Sequence, residues 1–222
     1  MSSLHTPSRL SVTFDDEHAV ANAGLALVGL VLWAFRHRLR RLAVTATAAT
    51  LTFAQDAAPA KAAICAACHG PAGKSADPMY PILAGQTSRY MDLELRDFQE
   101  GRRSDPQMSP VAAGLSRDEM RELADYFAKQ KAPPQPFAVD AAKARLGRAK
   151  ADETLCTMCH LGGFVGQNEI PRVAGQHYAY IVKELTAFKA RTRTNDAGNM
   201  TSVASTLSAQ DIENLAHYIT GL

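Results

Sequence analysis

A five-residue pattern that occurs twice constrains the fold of this chain more than any other feature. The two copies contain all four cysteines of the 222 residues. They read Cys65-Ala-Ala-Cys68-His69 and Cys156-Thr-Met-Cys159-His160. Residues i, i+3 and i+4 of a helix lie on one face, so both thiols and the imidazole of each copy can face the same planar group. The fold must therefore present such a helical turn twice.

The similarity between the two halves continues beyond these motifs. The segment Pro-Ile-Leu-Ala-Gly-Gln at 81–86 recurs as Pro-Arg-Val-Ala-Gly-Gln at 171–176, offset by 90 residues, and Met108 recurs as Met200, offset by 92. Such a drift is what small loop changes leave in a duplicated domain. We therefore predict one domain at 55–132, a proline-rich linker at 133–137 and a second domain at 138–222.

Each half is predicted to be helical, with about three helices. Apolar residues recur at i, i+4 and i+7 in both halves, which indicates an amphipathic helix with one buried stripe. These residues are Met91, Leu95 and Phe98 in the first half and Ile181, Leu185 and Phe188 in the second. Ser116 with Glu119 predicts a capping box at the start of a later helix, and Ser208 opens its counterpart. No convincing strand pattern occurs, so the predicted fold class is all-α.

The Cys-x-x-Cys-His pattern is typical of covalent haem attachment, in which the thiols form thioethers and the histidine ligates iron. Three other roles fit this pattern less well. A thioredoxin-like redox pair does not explain the histidine, a four-cysteine zinc site has its pairs much closer in sequence, and i, i+3 spacing suits structural disulfides poorly. We therefore predict two covalently bound haem c groups, held by the thiols of Cys65, Cys68, Cys156 and Cys159, with His69 and His160 as iron ligands.

The sixth iron ligand is predicted from the requirement that both halves supply it. Beyond the initiator, only Met108 and Met200 match each other as methionines, and each is expected in a loop before the last helix. Filling of loop gaps is the alternative role for the two thioethers. His177 and His217 correspond to Thr87 and Asp125, so we interpret them as surface or packing residues.

Pro81 and Pro171 begin the loop that both halves share. A proline carbonyl at this point could accept a hydrogen bond from Nδ1 of the ligating histidine and thereby fix its tautomer. Turn geometry alone is the alternative reason for a proline there.

Residues 1–54 have the composition of a leader. A basic patch at 36–41 precedes an apolar run from Leu42 to Ala54, which is the order of a secretory signal with cleavage after Ala54. A second run, Val20 to Phe35, is short for a membrane span but leaves a retained anchor as the alternative. Residues 1–30 are interpreted as extraneous to an ordinary exported protein. Both alternatives export the remainder of the chain to the periplasm.

Charge argues against a nucleic-acid partner. The chain has 24 Lys and Arg against 22 Asp and Glu, a formal net charge of +2. The leader contains the whole excess, which leaves the predicted mature chain neutral before haem. We therefore expect docking through local patches around the haem edges without strong long-range steering.

The chain resembles the dihaem cytochrome c4 family, in which two class I cytochrome c domains occur in tandem. The resemblance covers about residues 58–222 and rests on both haem motifs, on Leu-Ala-Gly-Gln at 83–86 and Val-Ala-Gly-Gln at 173–176, and on Met108 and Met200. It implies two cytochrome c-like helical domains, each wrapped around a haem, and periplasmic electron transfer toward a terminal oxidase. Leu161 departs from the pattern, because the first half has Gly70 at this position.

Three functions remain open at this stage. The first is an electron carrier between a quinol-oxidising complex or dehydrogenase and a terminal oxidase. The second is the cytochrome subunit of a two-chain oxidoreductase, such as a flavocytochrome sulfide dehydrogenase. The third, a dihaem peroxidase, requires an iron with an open or displaceable ligand. Since histidine and methionine would occupy both axial positions, we expect no catalysis by this chain alone.

Overall fold

The computed structural model describes residues 58–222, which form one compact unit of nine α-helices and no β-strand. The predicted leader at 1–54 lies outside these residues. The first half contains α1 (Ala62–His69), α2 (Ser88–Gln99), α3 (Met108–Ala113) and α4 (Arg117–Ala128). The second contains α5 (Ala141–Glu153), α6 (Cys156–His160), α7 (Tyr178–Lys189), α8 (Asn199–Ser205) and α9 (Ala209–Thr220).

The all-α prediction is confirmed for residues 58–222, but three helices per half was too few. The short helices α3 and α8 occupy the segments that were expected to be loops, and α5 is an additional helix of the second half. A stretch without helix at 129–140 separates α4 from α5 and includes the predicted linker at 133–137. No helix among residues 58–222 is both long enough and apolar enough to cross a membrane.

The core of the first half lies between α2 and α4. Their apolar stripes bury Met91, Met120, Leu123 and Phe127. The predicted capping box is present: the Ser116 hydroxyl accepts from the Glu119 amide at 3.3 Å, and the Glu119 carboxylate accepts from the Ser116 amide at 2.8 Å. This cap satisfies two amides that the first turn of a helix leaves free.

The core of the second half forms where α9 packs against α5 and α7. The α5–α9 crossing is very close, because a Cβ added at Gly147 would lie 2.0 Å from the carbonyl oxygen of Asn214. The carboxylate of Asp140 begins α5 by accepting the amides of Ala142 and Lys143 at 2.8 and 3.1 Å. Glycine at 147 therefore sets the distance between the two helices.

The two cores place one aromatic ring differently. Gly73 lies in a 3₁₀ turn with φ +71, and a Cβ there would be 2.8 Å from the ring of Phe127. At the corresponding positions the second half has Phe164, which is buried, and Ile219. The ring therefore comes from the last helix in the first half and from the turn in the second.

Candidate haem sites

Each pair of thiols lies on the helix that ends with the paired histidine. In α1, Cys65 is half-buried, Cys68 is exposed and His69 is buried, and the corresponding residues of α6 have the same three degrees of exposure. Both helices end there because Gly70 and Leu161 adopt positive φ. The structure thus presents two thiols and an imidazole at one helix end in each half.

Each of these histidines is fixed by one proline carbonyl. Nδ1 of His69 lies 2.8 Å from the oxygen of Pro81, and Nδ1 of His160 lies 2.9 Å from that of Pro171. Burial lowers the pKa of both imidazoles, while the hydrogen bond to the carbonyl raises it. With the Nδ1 hydrogen donated to the carbonyl, the lone pair of the neutral ring is on Nε2, where an iron can bind it.

The first cysteine of each pair, Cys65 or Cys156, is half-buried, whereas the second is exposed. Burial raises the pKa of Cys65 and of Cys156, which favours the protonated form. A thioredoxin-like pair needs a thiol whose pKa is lowered. None of the four cysteines, all within residues 58–222, is in a disulfide. The environment of the thiols therefore argues against the redox-pair alternative.

Met108 and Met200 differ from the other methionines of residues 58–222 in their exposure. Met91 and Met120 are buried in the core, Met79 and Met158 are 74% and 71% exposed, and only these two are half-buried. Met108 begins α3 and Met200 is the second residue of α8, so both lie at helix starts instead of in the loops that were expected.

A carboxylate fixes the start of each methionine helix. Asp105 accepts the amide of Met108 at 3.1 Å, and Asp196 accepts the amide of Thr201 at 2.6 Å. Burial would raise the pKa of each carboxyl, but the hydrogen bonds outweigh it and lower the pKa. Both carboxylates are therefore ionised at neutral pH and hold the backbone beside the methionine.

His177 and His217 are both buried, and His177 lies beside Ser75 and Asp77 of the first half. Nδ1 of His217 accepts the amide of Asp140 at 3.2 Å, and its ring packs on Phe137 and Tyr178. His177 is the residue that precedes α7. The sequence left surface and packing roles open for both histidines, and their burial is inconsistent with a surface role.

Each proline loop is held by a glutamine side chain from the other half. Gln86 accepts the amide of Arg172 at 2.7 Å and donates to its carbonyl at 2.8 Å. Gln176 makes the same pair of bonds to Ile82, at 2.9 and 3.0 Å. Because Ile82 and Arg172 follow Pro81 and Pro171, each half fixes the loop that contacts the histidine of the other.

A buried charged cluster lies across the same interface, and it was missed from the sequence. Arg193 donates to Glu94 at 2.5 Å and to Glu184 at 2.6 Å, and Arg103 reaches the same two carboxylates at 2.6 and 3.0 Å. Each arginine also donates to a tyrosine of the other half, Arg193 to Tyr90 and Arg103 to Tyr180. All three residue types recur at an offset of 90, and this signal could have revealed the cluster.

The residues present fit a haem c in each half. Two thiols at i and i+3 can form the thioethers, the following imidazole has its Nε2 free for iron, and one thioether-bearing methionine is half-buried. Soft sulfur and neutral imidazole are the donors that haem iron takes in cytochromes c. The same set is present twice.

Comparison with known proteins gives the class. The family model for cytochrome c matches this chain twice, at residues 57–131 and 144–222. Two such matches define a tandem c-type cytochrome. Reduced recombinant cytochrome c4 from Pseudomonas stutzeri superposes with a TM-score of 0.68 at 37% identity, over 73% of this chain and 95% of that structure.

Two curated relatives cover most of the chain. Cytochrome c4 from Pseudomonas aeruginosa is 39% identical over 175 residues, which are 75% of this chain and 87% of the relative. A thiosulfate dehydrogenase electron acceptor from Thiomonas intermedia is 36% identical over 197 residues, 82% of this chain and 90% of the relative. The chain belongs to the cytochrome c4 family, and it is an electron-transfer protein with two covalently bound haem c groups.

Proposed function

We propose that this chain carries single electrons in the periplasm, from a quinol-oxidising complex or dehydrogenase to a terminal oxidase. The observation that carries the proposal is the repeated histidine geometry: in both halves a buried imidazole directly follows the thiol pair and bonds a proline carbonyl through Nδ1. Two matched sites in one compact unit suit a protein that accepts and releases electrons one at a time.

Each residue of the predicted site has a role in this proposal. Cys65, Cys68, Cys156 and Cys159 attach the two haems. His69 with Met108, and His160 with Met200, would hold the two haem irons. Pro81 and Pro171 keep each imidazole in the Nδ1–H tautomer and fix its ring plane. The bound haem supplies an iron that gains or loses one electron.

The chain's own residues favour electron transfer over catalysis. With one histidine and one methionine holding each haem iron, no iron site would be open to peroxide or another substrate. The interface bonds of Gln86 and Gln176 hold both histidine loops in place, which keeps rearrangement small when the charge of the iron changes. We therefore propose that the chain does no catalysis without a partner.

The proposed location follows from the attachment chemistry. Thioether formation needs cysteines that are presented outside the reducing cytosol, so the leader at 1–54 is proposed to export the chain, either as a cleaved signal or as a membrane tether. Nucleic acid is not among the proposed partners, because the formal charge is close to balanced.

The test is electron delivery by the purified holoprotein. A pyridine haemochrome assay with intact mass should first give two haem c per chain. Reduced protein added to membranes that contain a terminal oxidase should then be oxidised with matching oxygen consumption. Rapid turnover of peroxide by the isolated protein, or failure of the oxidase membranes to oxidise it, would contradict the carrier function.

A second function is favoured by one comparison. Relatives named thiosulfate dehydrogenase electron acceptor are 36% and 34% identical to this chain, which suggests an acceptor for a specific oxidoreductase. A flavocytochrome sulfide dehydrogenase is another enzyme of this kind. Co-purification of a stoichiometric oxidoreductase with the tagged chain would favour this function over free diffusion between respiratory complexes.

A further inference from the structure

The loop before α8 contacts the first half of the chain through Arg193 and, separately, through the amide side chain of Asn195. Nδ2 of Asn195 donates to Asp97 at 2.6 Å and to Glu94 at 3.2 Å. Its Oδ1 accepts from Nε of Arg193 at 3.0 Å. Because arginine only donates and carboxylates only accept, these contacts fix which end of the amide faces the first half.

The two acceptors make this contact more than a surface hydrogen bond. Asp97 is 2% exposed and Glu94 is 7% exposed, and both belong to α2. Arg102 also pairs with Asp97, and Arg103 and Arg193 pair with Glu94, so Asn195 adds one donor to carboxylates that are already paired. Because a hydrogen bond to a buried charged group is stronger than one between neutral groups, this donor favours the native loop position.

A short path leads from this contact to the second methionine. The next residue, Asp196, accepts the amide of Thr201 at 2.6 Å and its hydroxyl at 3.1 Å. Thr201 directly follows Met200 at the start of α8. The position of the Met200 backbone is therefore set by a segment that is itself docked on the first half.

Asn195 has no equally buried counterpart in the first half. Besides Arg103, the methionine loop of the first half contacts the second half through Asp105 and Lys183, whose charged atoms are 3.6 Å apart, and the Lys183 side chain is 58% exposed. Exposed pairs of this kind contribute little to stability. In addition to the two arginines, the loop before Met200 thus has a buried contact with the other half, whereas the loop before Met108 has only an exposed one.

We propose that Asn195 is a positioning residue for Met200 that acts through the buried carboxylates of the first half. The second haem site then keeps its methionine ligand only while its loop is docked on α2. The inference rests on the proposed ligand role of Met200. It adds a dependence of one haem site on the other half of the chain.

The test compares Asn195→Asp with Lys183→Ala in the holoprotein. Asn195→Asp places a third carboxylate against Asp97 and Glu94, whereas Lys183→Ala removes the weak contact to the other loop. The methionine methyl resonances of the reduced protein report the two sites separately, after assignment with Met108→Ala and Met200→Ala. The methionine-to-iron band of the oxidised protein, followed as pH is raised, reports how firmly each ligand is held.

We expect Asn195→Asp to weaken methionine ligation at the second site about tenfold, the scale of one charge-assisted hydrogen bond. Half of the band is then lost about one pH unit earlier, and only the Met200 resonance changes. Asn195→Ala should change it in the same direction by less. Lys183→Ala should leave both resonances in place.

A rescue variant separates positioning from general damage. Asn195→Asp combined with Asp97→Asn exchanges donor and acceptor across the same contact, so it should restore part of the lost stability of the band. The proposal is overturned if Asn195→Asp leaves the band unchanged, or if it shifts the contributions of both haem sites to the band equally. If instead Met200→Ala retains the whole band, the ligand assignment itself has failed.

Discussion

The residue that follows the second histidine, Leu161, adopts a backbone conformation that is almost restricted to glycine. Its φ of 62° and ψ of 170° nearly equal the 73° and 164° of Gly70 in the first half. A side chain in this region costs about 1–3 kcal/mol. The backbone at the end of α6 is therefore strained, whereas the backbone at the end of α1 is not.

Replacing Leu161 by glycine should stabilise the holoprotein. Relief of strain outweighs the greater backbone freedom of glycine in the unfolded chain, and we expect a net gain of about 1 kcal/mol. Thermal unfolding of the oxidised protein measures it as a rise in Tm. A lower Tm would show that the Leu161 side chain contributes more than its backbone costs.

The opposite substitution is the matched control. Gly70→Ala should destabilise the protein by about 1–3 kcal/mol, because alanine at positive φ is strained. Its Cβ would also lie 2.7 Å from the carbonyl oxygen of Lys74. The two variants should therefore shift Tm in opposite directions.

Asp140 gives the stability a dependence on pH. Hydrogen bonds from the amides of Lys143 and Ala142 lower the pKa of its carboxyl. A carboxyl whose pKa is lower in the folded state stabilises the fold above its unfolded pKa and loses this contribution as pH falls. Asp140→Ala should therefore lower Tm at neutral pH, with a difference that shrinks below about pH 4. A difference that stays constant at all pH values would contradict this cause.

For individual residues, the sequence predicted which side chains belong to the site better than it predicted their backbone angles. The thiols, histidines and methionines could be chosen because both halves must offer the same donors. Leu161 was recognised as a departure from Gly70, but its strain was not, since leucine does not itself indicate positive φ. Strain of this kind depends on the turn that the rest of the half imposes.

Among the secondary structure elements, the α5–α9 crossing makes the sharpest demand on the sequence. A Cβ at Gly147 would lie 2.0 Å from the Asn214 carbonyl oxygen, so the helices would have to separate. Gly147→Ala should destabilise the second half by about 1–3 kcal/mol, although alanine is the better helix former. Denaturant unfolding followed by haem absorbance measures the loss.

Gly114→Ala is the matched control for this crossing. Its Cβ would lie at an ordinary 3.6 Å from the Val111 carbonyl oxygen, and φ there is −86°. We expect a change within about 0.5 kcal/mol. Equal effects of the two substitutions would show that helix spacing is not the cause.

The sequence predicted the long amphipathic helices and missed the short ones. Periodicity identified α2, α4, α7 and α9, each of which has 12 residues. The helices α3 and α8 have six and seven residues, too few to show a period or to be stable alone. They form because Asp105 and Asp196 fix their first turns within the folded protein.

In the whole molecule, the reciprocal hydrogen bonds of Gln86 and Gln176 help to join the two halves. Gln176→Leu leaves the buried amide and carbonyl of Ile82 without their partner, at about 1–3 kcal/mol for each unsatisfied group. We expect lower stability and separate unfolding transitions for the two haems in denaturant. The unfolding transitions measured by haem absorbance and by near-UV circular dichroism should then no longer coincide.

Gln99→Leu is the control for this prediction. Gln99 also makes two hydrogen bonds to the backbone, by donating to the carbonyls of Ala112 and Leu115, but all three residues belong to the first half. This variant should lose stability without separating the halves. If both variants show coincident unfolding transitions, the hydrogen bonds of Gln86 and Gln176 do not link the two halves.

The repeat predicted two similar halves but not how they meet. The glutamines were visible in the Ala-Gly-Gln segments at 84–86 and 174–176, and the charged residues of the interface recur at an offset of 90. Their contacts depend on the relative orientation of the halves, which no local pattern encodes. The interface therefore had to come from the structure.

The proposed iron ligands are tested most directly by the weak far-red absorption band that methionine bound to oxidised haem iron produces. Histidine and methionine ligation at both irons predicts that Met108→Ala and Met200→Ala each remove half of this band, and that the double variant removes all of it. If neither single variant changes the band, these methionines are not the ligands and the proposed carrier mechanism is wrong.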